Sequence, residues 1–499
     1  SLDYDRIFRG YANLMESTVR TNYFQSVAVG EFPDYLSFKV DCRKIVNLSL
    51  PQPLPMYDMF VRSCKHGFEG VHLRDSKVAR GGIRRSDRRQ DYRTEAAGLQ
   101  RAQQMKNAVI VPSGAKGAFV LTDMPVGLSK DAEATTVINA YQYFIRGLLD
   151  LTDNFLDSGE IVPPDHVVCH DDSDHYFVVA ADKGTATFSD VANELAKGYG
   201  YWLGDAFASG GMTGYDHKRM GITARGAWKS VQHHFQQLGI DVQKQSISVI
   251  GVGDMGGDVF GNGLLMSDTL QLKAVFNHVH IFLDPNPDAK KSFKERKRLF
   301  QSSKSSWLDY NQALISKGGA VYERSAKSLK LTPEIRAMLG IEKDQCEPNE
   351  LIRYLLKAEV DLIWNGGIGT YVRASSETNQ DAEDSANNNT RVMATELRCK
   401  VFAEGGNLGL TQKARVEFAL SGGVINADFI DNSAGVDCSD HEVNIKILLN
   451  SVLAAGKLTW DKRNSLLAEM TEDVASLVLM NNVKQKKIVL AAMLCNRFD

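Results

Sequence analysis

Several features are absent from this sequence of 499 residues, and each absence excludes a class of protein or site. The seven cysteines are scattered and include no C-x-x-C pair, which argues against a zinc site and indicates a reducing, cytoplasmic setting. No apolar run is long enough to span a membrane, and no signal peptide opens the chain. The net charge of -3 creates no field for nucleic acid or acidic membranes. We therefore expect neither a metal nor a nucleic-acid or membrane partner.

The hydrophobic content of 43% is ample for large cores, and the length predicts two large domains or about three smaller ones. The sequence does not start with Met, and it ends at an apolar stretch without a helix stop signal. We therefore expect a fragment of a longer protein.

Runs of β-type apolar residues alternate with amphipathic segments, a pattern typical of an α/β fold. A helix is predicted between two groups of strands, over residues 223–238 with Gly239 as its C-terminal cap, and the pattern after residue 441 is helical to the end. The predicted strands are 35–40, 69–75, 107–111, 166–170 and 176–181 in the first group, and 246–251, 272–277, 280–284 and 360–365 in the second.

The stretch SISVIGVGDMGGDVFGNG, residues 246–263, places an apolar strand directly before a G-x-G-x-x-G loop and a segment that can form a helix. This context predicts a dinucleotide site, with a tight turn, close backbone approach and a helix N-terminus near the pyrophosphate. Asn277 stands where a ribose-binding acid is expected, and Asp284 is the nearest carboxylate after it. Because neither point carries a basic residue, NAD is favoured over NADP. Asp254, inside the loop, is expected to point away from the pyrophosphate.

Lys116 lies among small residues in IVPSGAKGAF, residues 110–119. These residues alone leave two interpretations open, a surface turn and a lysine held in a ligand cleft. Together with Arg80 and Lys106, it could surround a small dianion, whereas most other arginines of this region are expected to pair with nearby acids. Asp182 follows the predicted strand 176–181, where α/β proteins often keep their chemistry, although a turn or cap residue is an equally simple reading.

The ordered motifs ARGGIR, MKNA, PSGAKGAF, AADKGT, ITARG, GVGDMGGDVFG and NSAGVDCS resemble those of glutamate dehydrogenases, in particular the large NAD-dependent class. The resemblance runs from about residue 65 to 445. It implies a substrate domain at 1–215, a Rossmann-type NAD domain at 216–435, and a helical segment at 436–499 that returns to the substrate domain and begins a C-terminal helical region. It also implies a homo-oligomer and an active site in the cleft between the two domains.

The resemblance assigns roles residue by residue. Lys116 and Asp182 correspond to the family's catalytic lysine and aspartate, and Lys106 to the lysine that binds the α-carboxylate. Arg80 replaces a lysine at the side-chain carboxylate, which keeps the cation but changes its geometry. Gly82, Val436 and Ser439 complete the substrate set, with Ser439 supplying a hydroxyl to the side chain. The implied cofactor set is Thr223, Gly251, Gly253, Asp254, Met255, Gly256, Asn277, Asp284, Asn365 and Asn407, with Thr223 at the nicotinamide amide.

The implied reaction is the NAD-dependent oxidation of L-glutamate to 2-oxoglutarate and ammonia. Neighbouring cations and partial desolvation are expected to lower the pKa of Lys116, so that it can act as a base toward water, while Asp182 exchanges protons with the substrate nitrogen. Two alternatives stay open. A dehydrogenase of leucine, valine or phenylalanine would have an apolar pocket where Arg80 and Ser439 stand, and a non-catalytic nucleotide-sensing module would not need Lys116 or Asp182.

Overall fold

A computed structural model of the chain describes residues 2–27, 33–46, 54–107, 113–123, 129–156, 158–181, 187–302 and 305–495, without the side chains of 26–27, 102–107, 130 and 181. The chain divides into two units. The first unit consists of Ser1–Asp216 and Ser439–Thr471, and the second of His217–Cys438 and Glu472–Asp499. Among the described residues, no helix combines the length and the apolar character that a membrane crossing requires.

The first unit is built on a seven-stranded mixed sheet with the order β1-β2-β3-β4-β6-β5-β9. β5 runs parallel to β6 and β9, whereas the other neighbouring strands are antiparallel. β7 and β8 pair separately. The strands are β1 (Thr18–Thr21), β2 (Leu36–Asp41), β3 (Tyr57–Ser63), β4 (Phe68–Arg74), β5 (Ala79–Arg85), β6 (Ser113–Leu121), β7 (Asn154–Phe155), β8 (Ile161–Val162) and β9 (Val178–Ala181).

Helices cover both faces of this sheet. Those of the first part of the chain are α1 (Leu2–Ser17), α2 (Tyr23–Val27), α3 (Tyr92–Asn107), α4 (Lys130–Leu149) and α5 (Ser189–Gly198). Phe119 of β6 packs in a core with Phe144 of α4, whereas its neighbour Ala118 packs with Ala96 of α3. Successive strand residues point to opposite faces, so β6 is buried along its whole length.

A buried network of charges lies beside this sheet. Asp174 pairs with Lys39 of β2 at 2.7 Å and with Arg74 of β4 at 2.9 Å, and Asp171 pairs with Lys39 at 2.5 Å and with Arg20 of β1 at 2.6 Å. All five side chains are almost completely buried. The network therefore attaches the segment before β9 to three strands through ion pairs rather than through a strand ladder.

The second unit contains a seven-stranded sheet with the order β13-β12-β11-β10-β16-β19-β20. β11, β10, β16, β19 and β20 are mutually parallel, and β12 and β13 are antiparallel to their neighbours. The strands of this part of the chain are β10 (Ile247–Val252), β11 (Leu270–Phe276), β12 (His280–Leu283), β13 (Ala320–Glu323), β14 (Leu329–Lys330), β15 (Gln345–Cys346), β16 (Leu362–Asn365), β17 (Val372–Arg373), β18 (Val392–Met393), β19 (Val401–Glu404) and β20 (Val424–Ile425).

The strand order of this sheet reverses at β10, which pairs with β11 on one side and with β16 on the other. Such a switch point is where open α/β sheets bind their ligands. Helices pack on both faces, because Val249 and Ile250 of β10 belong to different cores. The helices are α6 (His217–Met220), α7 (Ile222–Gln237), α8 (Asp258–Leu264), α9 (Ala289–Gln301), α10 (Pro333–Leu339), α11 (Pro348–Leu356), α12 (Gln412–Leu420) and α13 (Asp428–Asp431).

The predicted helical end of the chain is confirmed as α14 (Ser433–Ala454), α15 (Trp460–Glu469) and α16 (Thr471–Leu494). The segment 436–499 does not return to the first unit as a whole, however. Residues 472–499 group with the second unit. The physical reason lies in buried polar contacts, since Asn482 donates to the carbonyl of Ile430 at 3.0 Å and Lys486 to that of Gly226 at 3.1 Å. The functions assigned to the three predicted ranges stay predictions.

Most predicted strands overlap strands of the structure, namely β2, β4 and β9 in the first unit and β10, β11, β12 and β16 in the second. The strand predicted at 166–170 is wrong. His166 has a left-handed backbone with φ 57°, which a strand does not accommodate, and only the N–H of His170 bonds back to the carbonyl of Val19. Of the strand predicted at 107–111, Asn107 ends α3, and the other residues lie outside the described part of the chain.

Candidate functional site

Lys116 lies in the middle of β6, which excludes the surface turn that was one of its two interpretations. It is only 4% exposed and pairs with Leu73 of β4. On the other side, the register of β5 places Gly82 level with Lys116, and Gly82 in turn pairs with Ala180 of β9. Because residues level with one another share a face, the ammonium group has a glycine and an alanine as its neighbours across the sheet. A small ligand can approach the backbone on that side of the lysine.

Close backbone contact explains the first glycine of the pair in β5. A Cβ atom on Gly81 would lie 1.5 Å from the carbonyl oxygen of Ala115, so no other residue fits without moving β5 away from β6. Gly81 thus holds the two strands that carry Arg80 and Lys116 at normal sheet spacing.

A buried histidine lies on β4, the strand that pairs with β6 next to Lys116. His72 of β4 packs edge-on against Phe177, with 5.1 Å between ring centroids, and is fully buried. Burial, together with the charges of Arg74 and Lys116, lowers the pKa of His72 to about 3. His72 is therefore neutral at physiological pH and leaves the cationic role in this part of the sheet to the lysine and arginines.

The guanidinium group of Arg80 connects β5 to helix α14 and to Tyr176. Nη1 donates to the carboxylate of Asp440 at 2.8 Å and to its backbone carbonyl at 3.1 Å, and Nη2 donates to Oδ1 of Asn444 at 2.9 Å. Nε donates to the hydroxyl of Tyr176 at 2.6 Å. The structure therefore brings Arg80 into contact with the residue next to Ser439, as a shared substrate site requires. The guanidinium of Arg80 is, however, already paired with the carboxylate of Asp440.

Ser439 is 8% exposed and accepts a hydrogen bond from the hydroxyl of Ser209 at 3.1 Å. The segment after Ser209 is also attached to α14, because Glu442 accepts the backbone N–H groups of Gly210 at 3.1 Å and Tyr215 at 2.9 Å. The first unit thus brings Lys116, Gly82, Arg80 and Ser439 onto contacting elements of one sheet and one helix.

Two predicted residues of this site cannot be placed by their side chains. Lys106 lies in α3, and its side chain is outside the described part of the structure. Asp182 follows β9 directly in the sequence and is outside the described residues. Their roles stay predictions.

The glycine-rich loop of the second unit connects β10 with α8 at the switch point of the sheet. Gly253 has φ 143°, and a Cβ atom there would lie 2.7 Å from the ring of Phe260, as would one on Gly251. A Cβ on Gly256, by contrast, would meet nothing closer than 3.8 Å, so open space lies above that residue. Met255 is 3% exposed and packs in the core with Phe260, which anchors the loop from beneath. These features fit a dinucleotide that lies against the loop backbone.

The structure brings only one of the two predicted ribose contacts to this loop. Asn277 follows β11 and donates from Nδ2 to the carboxylate of Asp254. Asp284 follows β12, which is antiparallel to β11, and its N–H donates to the carbonyl of Lys273 at 2.8 Å. Its carboxylate accepts the N–H of Ser316 at 3.1 Å and is 1% exposed, so it holds a neighbouring loop. Burial raises the pKa of Asp284.

The ends of β16 and β19 carry a further polar cluster. Asn365 donates to Glu404 at 3.1 Å, and Glu404 also accepts the N–H of Gly409 at 2.7 Å. Burial raises the pKa of Glu404 to about 7. The paired Arg415 opposes this shift, whereas the negative charge of Asp428 adds to it. The cluster fixes the amide of Asn365 at the carboxyl end of the sheet.

The remaining predicted cofactor residues, together with Val436 of the predicted substrate set, lie near the start of α14. Asn407 is exposed, and its side-chain oxygen accepts from Asn432 at 2.9 Å, which directs its amino group away from Asn432. Thr223 lies beside Gly435 of α14, because a Cβ atom on Gly435 would lie 2.5 Å from the hydroxyl of Thr223. Val436 follows Gly435 in the same helix.

Sequence reasoning did not single out Tyr176, Ser209, Asp440, Asn444 and Glu404, which hold the predicted residues in place. One signal was available for two of them. Asp440 and Asn444 are four residues apart on a predicted helix, so they share a face next to Ser439. The other contacts join distant parts of the chain, and spacing does not reveal them.

Comparison with known proteins identifies relatives along the whole length of the chain. A model of the family described as "Bacterial NAD-glutamate dehydrogenase, catalytic domain" matches residues 1–492. The chain is 61% identical over 484 residues to an NAD-specific glutamate dehydrogenase of Pseudomonas aeruginosa, which covers 97% of this chain and 30% of that protein. It is 54% identical over 502 residues to an NAD-specific glutamate dehydrogenase of Mycobacterium tuberculosis, with 98% and 31% covered. The chain thus spans about 30% of the length of these curated relatives.

Among solved structures, a glutamate dehydrogenase of Plasmodium falciparum aligns with a TM-score of 0.50 at 15% identity, covering 93% of this chain and 83% of that chain. At this identity the similarity concerns the fold alone. The predicted α/β fold of an amino-acid dehydrogenase is confirmed.

Proposed function

The chain belongs to the bacterial NAD-glutamate dehydrogenase catalytic-domain family, and from this membership we propose that it catalyses the NAD-dependent oxidative deamination of L-glutamate. In this reaction L-glutamate, NAD⁺ and water give 2-oxoglutarate, ammonia, NADH and a proton. The observation that carries the proposal is the placement of Lys116, a buried lysine on a central strand whose neighbours across the sheet are Gly82 and Ala180.

The substrate is a dicarboxylate, so the site needs cations at both ends. We assign the α-carboxylate to Lys106, and the side-chain carboxylate to Arg80 and Ser439, with Gly82 and Val436 completing the pocket. The bound pair of Arg80 and Asp440 supports this assignment, because it holds the guanidinium at a fixed place beside Ser439. An apolar amino acid would have no partner for these groups.

Lys116 acts as the base toward water in this proposal. Loss of hydride from Cα leaves an imine, and its hydrolysis requires that water lose a proton as it attacks the carbon. Burial of Lys116 disfavours the ammonium form, so the lysine can accept that proton. Asp182 would carry protons to and from the substrate nitrogen, which leaves as ammonia.

The residues of the second unit fit a dinucleotide at the glycine-rich loop. We assign Gly251, Gly253 and Gly256 to the close backbone approach, and Asn365, Asn407 and Thr223 to the nicotinamide end. When bound, NAD supplies the acceptor for the hydride. The network of Glu404 and Asn365 supports this assignment, because it sets the direction of a polar side chain at the carboxyl edge of the sheet.

We also propose that the protein is a cytoplasmic homo-oligomer, as the resemblance to its family implies. Exposed apolar side chains at Phe8 and Met15, 70% and 76% exposed, support a contact surface on α1. Light scattering after gel filtration tests the oligomer, and a monomer at micromolar concentration would contradict it.

The function is tested by following NADH absorbance with the purified protein, NAD and L-glutamate, against L-leucine and against no amino acid. We expect NADH with L-glutamate only, together with an equal amount of 2-oxoglutarate. A preference for L-leucine would instead indicate an apolar side-chain pocket. NADH without 2-oxoglutarate would contradict the proposed reaction.

A further inference from the structure

The glycine-rich loop and the end of β11 are joined at one corner of the second sheet. Gly253 donates from its N–H to the carbonyl of Phe276 at 3.0 Å, and its own carbonyl accepts from the indole of Trp307 at 3.0 Å. The residues that follow Gly253 and Phe276 are also in contact, because Nδ2 of Asn277 donates to Oδ1 of Asp254. The carboxylate of Asp254 is therefore fixed at the carboxyl ends of β10 and β11, where its side chain is partly exposed.

The amide of Asn277 can present only its amino group to Asp254. Its side-chain oxygen already accepts the backbone N–H groups of Val279 at 2.7 Å and His280 at 2.6 Å, in the tight turn between β11 and β12. The turn thus orients the amide, and the amide orients the carboxylate. Asn277 acts on this corner as a positioning residue.

Asp284 lies away from this corner. It is level with Lys273, to whose carbonyl it donates at 2.8 Å, and Lys273 precedes Asn277 by four residues. Four residues of strand span roughly 13 Å. Because β12 runs antiparallel to β11, the end of β12 points toward the opposite edge of the sheet from the glycine-rich loop. Asp284 cannot reach a ribose that lies at the loop.

A carboxylate at this corner discriminates between the two nicotinamide dinucleotides. The adenosine ribose of NAD offers hydroxyl groups that donate to a carboxylate, whereas NADP carries a phosphate on its 2′-oxygen, which a carboxylate repels. We propose that Asp254, oriented by Asn277, is the residue that binds the adenosine ribose and selects NAD over NADP. The inference rests on the proposed function, because it concerns the cofactor which that function uses.

Arg324 is a cation that lies close enough to oppose this effect, and Lys218 donates to the carbonyl of Gly256 in the same loop at 2.8 Å. Arg324 donates from Nη1 to the backbone carbonyl of Asn277 at 2.8 Å and from Nη2 to Asn349 at 3.2 Å. These contacts attach β13 to the turn after β11, and a guanidinium here would also attract a 2′-phosphate. The proposal therefore requires that the carboxylate of Asp254 outweigh Arg324 in the wild-type protein.

The experiment measures binding rather than turnover. The purified protein is titrated with NADH and with NADPH, followed by the fluorescence of the dinucleotide, for the wild type, Asp254→Asn and Asp284→Asn. We expect the wild type to bind NADH more tightly, and Asp254→Asn to lower the ratio of the NADPH Kd to the NADH Kd by about tenfold or more. Asp284→Asn is the matched control, because it removes a charge that follows the neighbouring strand, and its ratio should equal that of the wild type.

Each other outcome overturns the assignment in a recognisable way. An unchanged ratio in Asp254→Asn, or an equal change in both variants, contradicts the role of Asp254 and leaves the proposed function standing. A wild type that binds neither dinucleotide contradicts the proposed function itself. If circular dichroism shows that Asp254→Asn does not fold, competition at the wild type decides the matter. Adenosine 2′,5′-bisphosphate must then compete with NADH more weakly than AMP, which differs from it only by the 2′-phosphate, and equal competition overturns the proposal.

Discussion

The guanidinium of Arg80 is paired with the carboxylate of Asp440, with 2.8 Å between Nη1 and Oδ1, and both side chains are buried. The cation assigned to the substrate's side-chain carboxylate is thus held in place by another carboxylate, from the helix that also carries Ser439. Removing one member of such a pair leaves an uncompensated buried charge, at a cost of about 3–5 kcal/mol. The pair therefore matters for stability, whether or not Arg80 binds the substrate.

Arg80→Met should collapse kcat/KM for L-glutamate and affect norvaline, which has no side-chain carboxylate, far less. Comparing two substrates on one variant cancels general damage to the fold. The control is Arg84→Met, which removes another arginine of β5 that is paired at 2.7 Å with Glu95 of α3. Its losses should be similar for the two substrates. Equal losses for both substrates in Arg80→Met would show that Arg80 does not read the side chain.

Asp182→Asn should leave binding of L-glutamate and NADH largely intact while lowering kcat. General acid–base groups typically contribute about 100- to 10,000-fold, and an amide cannot exchange a proton as a carboxylate does. Steady-state kinetics together with NADH titration separate the two effects. A variant with the wild-type kcat would make Asp182 a turn residue.

Asp174→Asn should destabilise the first unit by about 3–5 kcal/mol, because Lys39 and Arg74 would lose a buried partner. These cations lower the pKa of Asp174 in the folded protein. A lowered folded pKa gives stability that is present above the unfolded value of about 3.9 and is lost as the pH falls below it. Urea unfolding should therefore show a steeper fall in stability below about pH 4 for the wild type than for the variant.

The control for this experiment is Asp172→Asn, two residues away, whose carboxylate is 94% exposed and pairs with Lys77 at 3.3 Å. An exposed pair of this kind contributes about 0–1 kcal/mol. Similar destabilisation by both substitutions would contradict a special role for the buried network.

Glu404→Gln should become stabilising relative to the wild type as the pH rises. The folded pKa of Glu404 is raised to about 7, so the fold favours the protonated group, and its contribution is present at low pH and lost as the pH rises through that value. Glutamine resembles the neutral form and does not titrate. Unfolding of both proteins between pH 5 and pH 8 tests this, and a variant that is less stable by the same amount throughout would show that Glu404 stays ionised beside Arg415.

The fold class followed from the sequence because the apolar strands of the second sheet are continuous and the glycine-rich loop comes directly after one of them. β6 could not be predicted, because lysine, glycine and alanine have low strand propensity and a strand buried on both faces shows no alternation. β5 was not predicted either, because its arginines are buried only through partners as distant as Asp440.

Only those site residues that lie in recognisable motifs could be predicted from the sequence. The resemblance placed Arg80 and Ser439 in one site, but it could not show their hydrogen bonds with Tyr176 and Ser209, which join distant segments. Counting along the chain also suggested Asp284. The antiparallel direction of β12, which takes that residue away from the loop, is a property of the folded sheet.

The proposed role of Lys116 of β6 as the base in glutamate oxidation is best tested by Lys116→Met. The measurement is kcat for NADH formation from L-glutamate and NAD, with the NADH Kd determined on the same preparations. We predict a fall in kcat of about 100-fold or more. The NADH Kd should stay close to that of the wild type, because Lys116 belongs to the first unit and the glycine-rich loop to the second. A Lys116→Met protein that oxidises L-glutamate at the wild-type rate would contradict the proposed role.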